Sequence, residues 1–349
     1  MLKKIDWDRQ VGRKLRLRDL HVFFTVAECG SMAKAAAQLG VSTPTVSEVI
    51  ADLEHGLGVR LLDRSSKGVE LTRYGHALLK RTLIVFDELK QSIKDIEHLT
   101  DPTVGEISIA SPLAIAFTVI PILLERFVES HPRVILHFDE VASASLTRDF
   151  RELRDRKYDL ILGRGGSPTG EEQSMDDLNI EFLFDDQLVI AAGAKSKWAA
   201  RRREIDLAEL VEEHWIMQPP HSWNYRTLGE ACRARGIAMP KASLVTLSMS
   251  VITHFLADGR FITAMPRSVA YFKALKVLPV DLPTRPWPVN IVTLKNRTLS
   301  PTAEQFIACA REFTQPMRKG RLVAPAMSAF PPAVGGGADM RQRPPKRRE

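Results

Sequence analysis

The sequence predicts a multidomain chain: an all-α winged helix-turn-helix at the N-terminus, a long linker helix, and then an α/β domain of two lobes. Residues 19–71 break into short helical pieces at Gly and Ser/Thr signals, whereas 72–99 run on without a breaker and carry a seven-residue apolar repeat. Beyond Asp101-Pro102, strand-like alternation takes turns with amphipathic stretches. At 349 residues the chain is also too long for one ordinary core.

In the first segment, Leu20, Phe23, Phe24 and Val26 give an opening helix its apolar face, and Gly30 ends it. Ser31 caps a second helix, MAKAAAQL, whose alanines permit close helix approach. Gly40-Val41-Ser42 makes a tight turn. Ser42 or Thr43 is the N-cap of a third helix reaching His55, with Pro44 in its first turn. Val46, Val49, Ile50 and Leu53 form one stripe on this helix, leaving Thr43, Pro44, Thr45, Ser47, Glu48 and Asp52 on other faces, as a helix in the major groove requires. The following GVRLLDRSSKGVELT reads as a two-stranded wing with Arg64, Ser65, Ser66 and Lys67 at its tip.

Phosphate contacts call for short donors at helix N-termini and cations at the wing. Ser31, Ser42 and Thr43 supply the first, Arg64 and Lys67 the second. The alternative is a small helical core with no partner, but the order and spacing of these features are more specific than any one of them. Ser31-Met32-Ala33-Lys34 also matches the S-x-x-K pattern of serine acylases; without a K-T-G element it is read as chance.

From Thr72 to Leu99, Leu79, Phe86 and Ile93 recur every seven residues, with Leu89 and Ile96 three positions after the last two. At 1.5 Å per residue this helix would reach about 40 Å, longer than covering a small domain needs. The stripe is therefore expected to be a seam between two chains rather than one side of the chain's own core. The expected head is 17–76 and the linker helix 72–101.

After Pro102, EISIASP alternates as a strand, IPILLERFVESHP reads as a helix stopped before Pro132, VILHFDEV is a strand, and LTRDFRELRDRK is a helix before the apolar YDLILG. The theme returns in EFLFDDQLVIAAG, IDLAELVEEHWIM, the helix SMSVITHFLADG and FITAMP. This predicts a domain over 102–314, with one lobe at about 104–179 and 281–314 and the other at about 180–280. No strand opens into a complete dinucleotide fingerprint; Gly163, Gly165 and Gly166 lack its spacing and read as a turn beside a cleft.

Of the formal net charge of +7, residues 318–349 carry +6, from eight basic and two acidic residues, so the other 317 carry +1. Bulk charge therefore does not mark the folded body as a nucleic-acid binder. The Pro/Gly/Ala-rich basic tail 319–349 is expected to be disordered and residues 1–18 to form an exposed arm. No apolar run is long enough to span a membrane and no secretory signal is legible, so a cytoplasmic location is expected. Cys29, Cys232 and Cys309, odd in number and far apart, read as ordinary thiols. His131, His137, His214, His221 and His254 follow no metal-ligand pattern, no catalytic constellation is legible, and no cofactor is expected.

Taken together, FFTVAECGSMAKAAAQLGVSTPTVSEVIADLEHGLGVRLLDRSSKGVELTRYG, IPILLERFVESHP, YDLILG, FLADGRFITAMP and LSPTAEQFIACARE resemble the LysR-type transcriptional regulators over residues 17–312. The resemblance implies a winged helix-turn-helix reading operator DNA, a dimerising linker helix, and a periplasmic-binding-protein-like effector domain. VNIVTLKN and PTAEQFIACARE would then return to the first lobe. It also implies a homodimer or homotetramer that controls transcription with RNA polymerase when a small molecule binds between the lobes. Matching effector positions are Ser111 to Ala114, Ser143, Arg164, Gln218 and Ser248, a set suited to an organic anion. Each serine reads equally as a helix cap, Arg164 as a surface cation, and His221 with Trp223 as a polar loop.

The sequence departs from the family pattern in Thr43-Pro44 where Gln-Pro is common, in Glu48 where many members have Arg, and in Phe261 for a second glycine. Glu48 would accept from a cytosine amino group or pair with a neighbouring cation. Two other classes remain, a two-lobed solute-binding protein or non-catalytic sensor without DNA function, and an enzyme on the same fold, for which no catalytic constellation is legible.

Overall fold

The computed structural model describes residues 15–65, 68–141, 150–163 and 175–318. Residues 1–14, Ser66 and Lys67, Ser143, Arg164, Gly165 and Gly166, and residues 319–349 lie outside the described residues.

The head consists of α1 (Leu17–Cys29), α2 (Met32–Leu39) and α3 (Thr43–Leu57), then the antiparallel pair β1 (Leu62–Ser65) and β2 (Gly68–Leu71). Gly30 and Gly40 end α1 and α2 at φ 60° and 66°, a conformation that glycine adopts without a Cβ penalty. The small side chains of Ala35 and Ala36 let α2 pack into one core with Phe23, Val26, Val46, Ile50, Leu53 and Leu61. Glu54 of α3 accepts from the backbone N–H groups of Leu61 and Leu62 at 2.7 and 3.1 Å, which fixes the start of the wing.

Thr72 closes the wing and caps α4 (Arg73–Thr100): its N–H donates to the Leu61 carbonyl at 2.9 Å and its hydroxyl accepts from Gly75 N at 3.1 Å. The Leu79 side chain joins the head core, and the Phe86 ring stands edge-on to His21 and Phe24, with centroids 6.0 and 6.2 Å away. Two of the five expected seam residues are thus used within the chain. The other three, Leu89, Ile93 and Ile96, are 41%, 56% and 63% exposed, while Thr82, Asp87 and Gln91 on another side of the helix are buried.

The rest of the chain runs β3 (Gly105–Pro112), α5 (Leu113–Ala116), α6 (Val119–Ser130), β4 (Val134–Val141), α7 (Arg151–Arg154), β5 (Leu160–Gly163) and β6 (Leu178–Asp186). It continues through β7 (Leu188–Ala192), a 3₁₀ turn (Leu207–Leu210), β8 (His214–Met217), α8 (Trp223–Ala234), β9 (Ala242–Val245), α9 (Met249–Ala257), β10 (Phe261–Pro266), α10 (Arg267–Phe272) and β11 (Lys276–Val277). It ends in β12 (Trp287–Leu294) and α11 (Pro301–Arg318).

Two compact units result. The first holds the head, the linker helix and residues up to 116, 123–184 and 288–314; the second holds 117–122, 185–287 and the chain from 315. The chain passes between them within β6 and at the start of β12, as against the sequence-based bounds near 180 and 280.

In the first unit the sheet order is β4-β3-β5-β12-β6, with β3 parallel to β4 and β5 and β12 antiparallel to β5. The apolar run Leu160–Gly163 is buried throughout, as a central strand should be, whereas edge strand β4 alternates half-buried and exposed. In the second unit the order is β11-β7-β10-β8-β9, and Ile190, Trp215, Leu228 and Ile262 share its core.

The helix expected over LTRDFRELRDRK is formed, among the described residues, only at Arg151–Arg154. Phe150, its N-cap, takes φ 44°, and Arg156, just beyond its C-cap, takes φ 62°. The loop expected around His221 and Trp223 is instead the N-terminus of α8, because Ser222 caps it by accepting from Tyr225 N at 3.3 Å.

Candidate nucleic-acid interface and effector site

The polar face of α3 is set by its first turn. Ser42 accepts from Thr45 N at 3.3 Å, and its hydroxyl shares a 2.8 Å hydrogen bond with Thr45 Oγ1. Thr43, Pro44 and Glu48 are exposed and Ser47 is half-buried, while Val46, Ile50 and Leu53 turn inward. Ser31 caps α2, accepting from Lys34 N at 3.5 Å. Arg64 is exposed on β1, in register with Val69 of β2. Ser31, Ser42, Thr43, Pro44, Thr45, Ser47, Glu48 and Arg64 therefore belong to one small domain; Lys67 lies outside the described residues.

Sequence reading missed two residues that aim this surface. Glu54 ties the wing to the reader helix, as described above. Gly68, at φ 131°, lets β2 approach α1 so that Val69 N donates to the Gly30 carbonyl at 2.9 Å. A glycine between a polar tip and an apolar strand is the only signal the sequence offers for the second.

The expected effector residues divide between the units. Ser111 is fully buried near the C-terminal end of β3, its hydroxyl donating to the Pro112 carbonyl at 3.5 Å, and Ala114 follows in α5. In the second unit Gln218 is buried just past the C-terminal end of β8. Ser248 is exposed and caps α9, accepting from Val251 N at 3.5 Å and sharing a 2.9 Å hydrogen bond with Ser250. Ser143 and Arg164 lie outside the described residues.

Arg226, one turn into α8, has a buried Nε without a hydrogen-bond partner among the described residues. Gln218 begins the connection from β8 to α8 and Arg226 lies in the first turns of that helix, near the strand C-terminal end where open α/β sheets hold ligands. No group of three or more metal-ligating side chains occurs among the described residues, nor any helix long and apolar enough to cross a membrane.

Comparison with known proteins separates the head from the chain that follows the linker helix. The family profile described as "Bacterial regulatory helix-turn-helix protein, lysR family" matches residues 17–76, and the one described as "LysR substrate binding domain" matches 100–315. The chain is 29% identical over 251 residues to the HTH-type transcriptional regulator TdcA of Escherichia coli (strain K12), covering 72% of this chain and 77% of that one. It is 25% identical over 320 residues to the HTH-type transcriptional regulator GbpR of Azospirillum brasilense, covering 90% and 92%. Among solved structures, a full-length OxyR variant from Pseudomonas aeruginosa shares the fold with a TM-score of 0.57 at 21% identity, covering 85% of this chain and 93% of that one. With a regulatory helix-turn-helix model over 17–76 and a substrate-binding-domain model over 100–315, the chain belongs to the LysR family of DNA-binding transcriptional regulators.

Proposed function

We propose that this regulator binds operator DNA by laying α3 in the major groove and β1–β2 against the backbone, and that a small organic acid bound by its effector domain switches its effect on transcription. The observation that carries the reading is the face of α3, where exposed Thr43, Pro44 and Glu48 alternate with a buried apolar stripe anchored in the head core. Glu48, a carboxylate that can only accept, favours a cytosine amino group in the groove. Exposed Leu89, Ile93 and Ile96 are the contact between two chains, and pairs of dimers make the tetramer that works with RNA polymerase in the cytoplasm. The organic-acid preference rests on Arg164, on the buried Nε of Arg226, and on the polar groups of Ser111 and Gln218.

A gel shift on the DNA upstream of the chain's own gene, across a salt series, tests the first half. A complex that survives non-specific competitor is expected, and its absence on every such fragment would sink the operator reading. Calorimetric titration of the full chain with carboxylates and neutral sugars tests the second. A carboxylate should bind, more weakly after Arg226→Ala, and Arg164→Ala should cost more affinity than Arg164→Lys, which keeps the charge but loses the fork. Binding of a neutral sugar unaffected by either alanine would overturn the anion assignment.

A further inference from the structure

Consecutive residues of the linker helix face different neighbours. Phe86 packs on His21 and Phe24 of the head, and Asp87 is buried against the first lobe of the effector domain. Both oxygens of Asp87 accept from Arg297 at 2.8 Å, in a two-pronged fork, and Arg156 donates to the same carboxylate. Arg297 continues to Asp159 at 2.9 Å and to the Tyr158 carbonyl at 2.7 Å. The other Asp159 oxygen accepts from Ser108 N in β3 at 2.8 Å.

All four charged side chains are at most 9% exposed, and two cations balance two carboxylates. Burying four charges carries a heavy desolvation cost, and well-packed apolar residues would hold a helix at least as firmly. What the ions add is direction, because a guanidinium fork fixes the angle of the carboxylate it grips. Arg156 presents its guanidinium from a backbone at φ 62°, a left-handed conformation that residues with a Cβ seldom adopt, so strain is retained where the lobe meets the linker.

The partners of this grip stand on or directly before the two strands that lead to expected effector positions. Ser108 lies in β3, which runs on to Ser111, and Asp159 immediately precedes β5, which runs on toward position 164. We propose that Asp87, held by Arg297 and Arg156, is the positioning residue through which the first lobe sets the orientation of the linker helix, and through Phe86 that of the DNA-binding head. The inference rests on the effector-responsive reading above, and names the point where the lobe's state reaches the head.

The test uses the full chain with its three cysteines replaced and nitroxide labels at Lys34→Cys in α2 and Glu129→Cys in α6, diluted with unlabelled chain and read by electron-electron double resonance. The parent should give one narrow distance distribution. Arg297→Gln and Asp87→Asn should each at least double its width, the double variant should be no wider than either single, and Arg297→Lys should fall between. Single-variant widths equal to the parent's would overturn the proposal, as would strictly additive broadening, which would mean two independent loosenings. Should Arg297→Gln unfold the lobe, Asp87→Asn decides, since it is near-isosteric and lies on the linker outside the lobe's own core. Neither DNA nor ligand enters this measurement, so a failed gel shift bears on the operator reading alone.

Discussion

Gly68 of the wing approaches the end of α1 so closely that a β-carbon on it would stand 2.7 Å from the Gly30 carbonyl oxygen, the same oxygen that accepts from Val69 N. The wing is therefore docked to the head by backbone, at a position whose φ of 131° excludes most side chains. Gly68→Ala combines a steric conflict with backbone strain. It should destabilise the head by about 1 to 3 kcal/mol and weaken operator binding, with ligand binding by the effector domain unchanged. Parent-like thermal unfolding of the head in this variant would show that the wing adjusts freely.

The reader helix separates two kinds of serine. Ser42 caps α3, so Ser42→Ala should cost about 1 kcal/mol of stability and some DNA affinity with it. Ser47 has no capping role, and neither does the exposed Arg64 on β1. Alanine at Ser47 should lower operator affinity by about 1 to 3 kcal/mol, and alanine at Arg64 should weaken binding too, both with melting temperature unmoved. Operator titrations paired with calorimetry distinguish these outcomes, and unchanged affinity in both Ser47→Ala and Arg64→Ala would remove the winged reading.

How far the sequence led can be judged from these same residues. Ser31, Gly30, Ser42 and Gly40 are local punctuation, and local capping chemistry placed α1 to α3 to within two residues. Gly68 and Glu54 act through partners 38 and 7 residues away in the chain, Gly30 and Leu61, and no periodicity reports such pairs. The same holds for the linker: its heptad stripe was legible, but Leu79 and Phe86 belong to the head because α1 folds back onto them. In the sequence Asp87 is one acid between Phe86 and Leu89, and no local pattern sets it apart. Its two arginines arrive from 69 and 210 residues downstream, so only the folded chain shows it buried.

Acid should unfold the first lobe through several carboxylates. Hydrogen bonds from Lys157 and then Tyr158 hold Asp139 below the ordinary carboxylate value, Thr103 does the same for Asp101, and Arg154 for Asp177. A carboxylate depressed in the folded state contributes stability above its unfolded pKa, and that contribution is lost as pH falls through the folded value. Melting temperature should therefore be level above about pH 5 and fall steeply below about pH 4, and Asp139→Asn should make the fall shallower. Lys157 is shifted upward by Tyr158 and Asp139, so its own contribution is present at neutral pH and disappears only as strong alkali passes its folded value. A melting curve for Asp139→Asn superimposable on the parent's from pH 6 to pH 3 would show that this pair contributes nothing measurable.

The exposed side of α4 gives the sharpest division among residues that look alike in the sequence. Leu89, Ile93 and Ile96 point away from their own chain, whereas Phe86, one heptad before Ile93, is held edge-on by His21 and Phe24. In the proposed seam, burial of the three exposed side chains on a second α4 would remove apolar surface from water at about 25 cal/mol per Å², and an aspartate there would place a charge in that apolar contact. Leu89→Asp with Ile93→Asp should therefore yield monomers by sedimentation, with each chain's melting temperature little changed and binding to a two-half-site operator lost. Phe86→Asp should do the reverse, loosening the head on the linker and lowering melting temperature while sedimentation at high concentration still shows the assembled species. A Leu89→Asp, Ile93→Asp chain that sediments like the parent would move the contact between chains off this helix altogether.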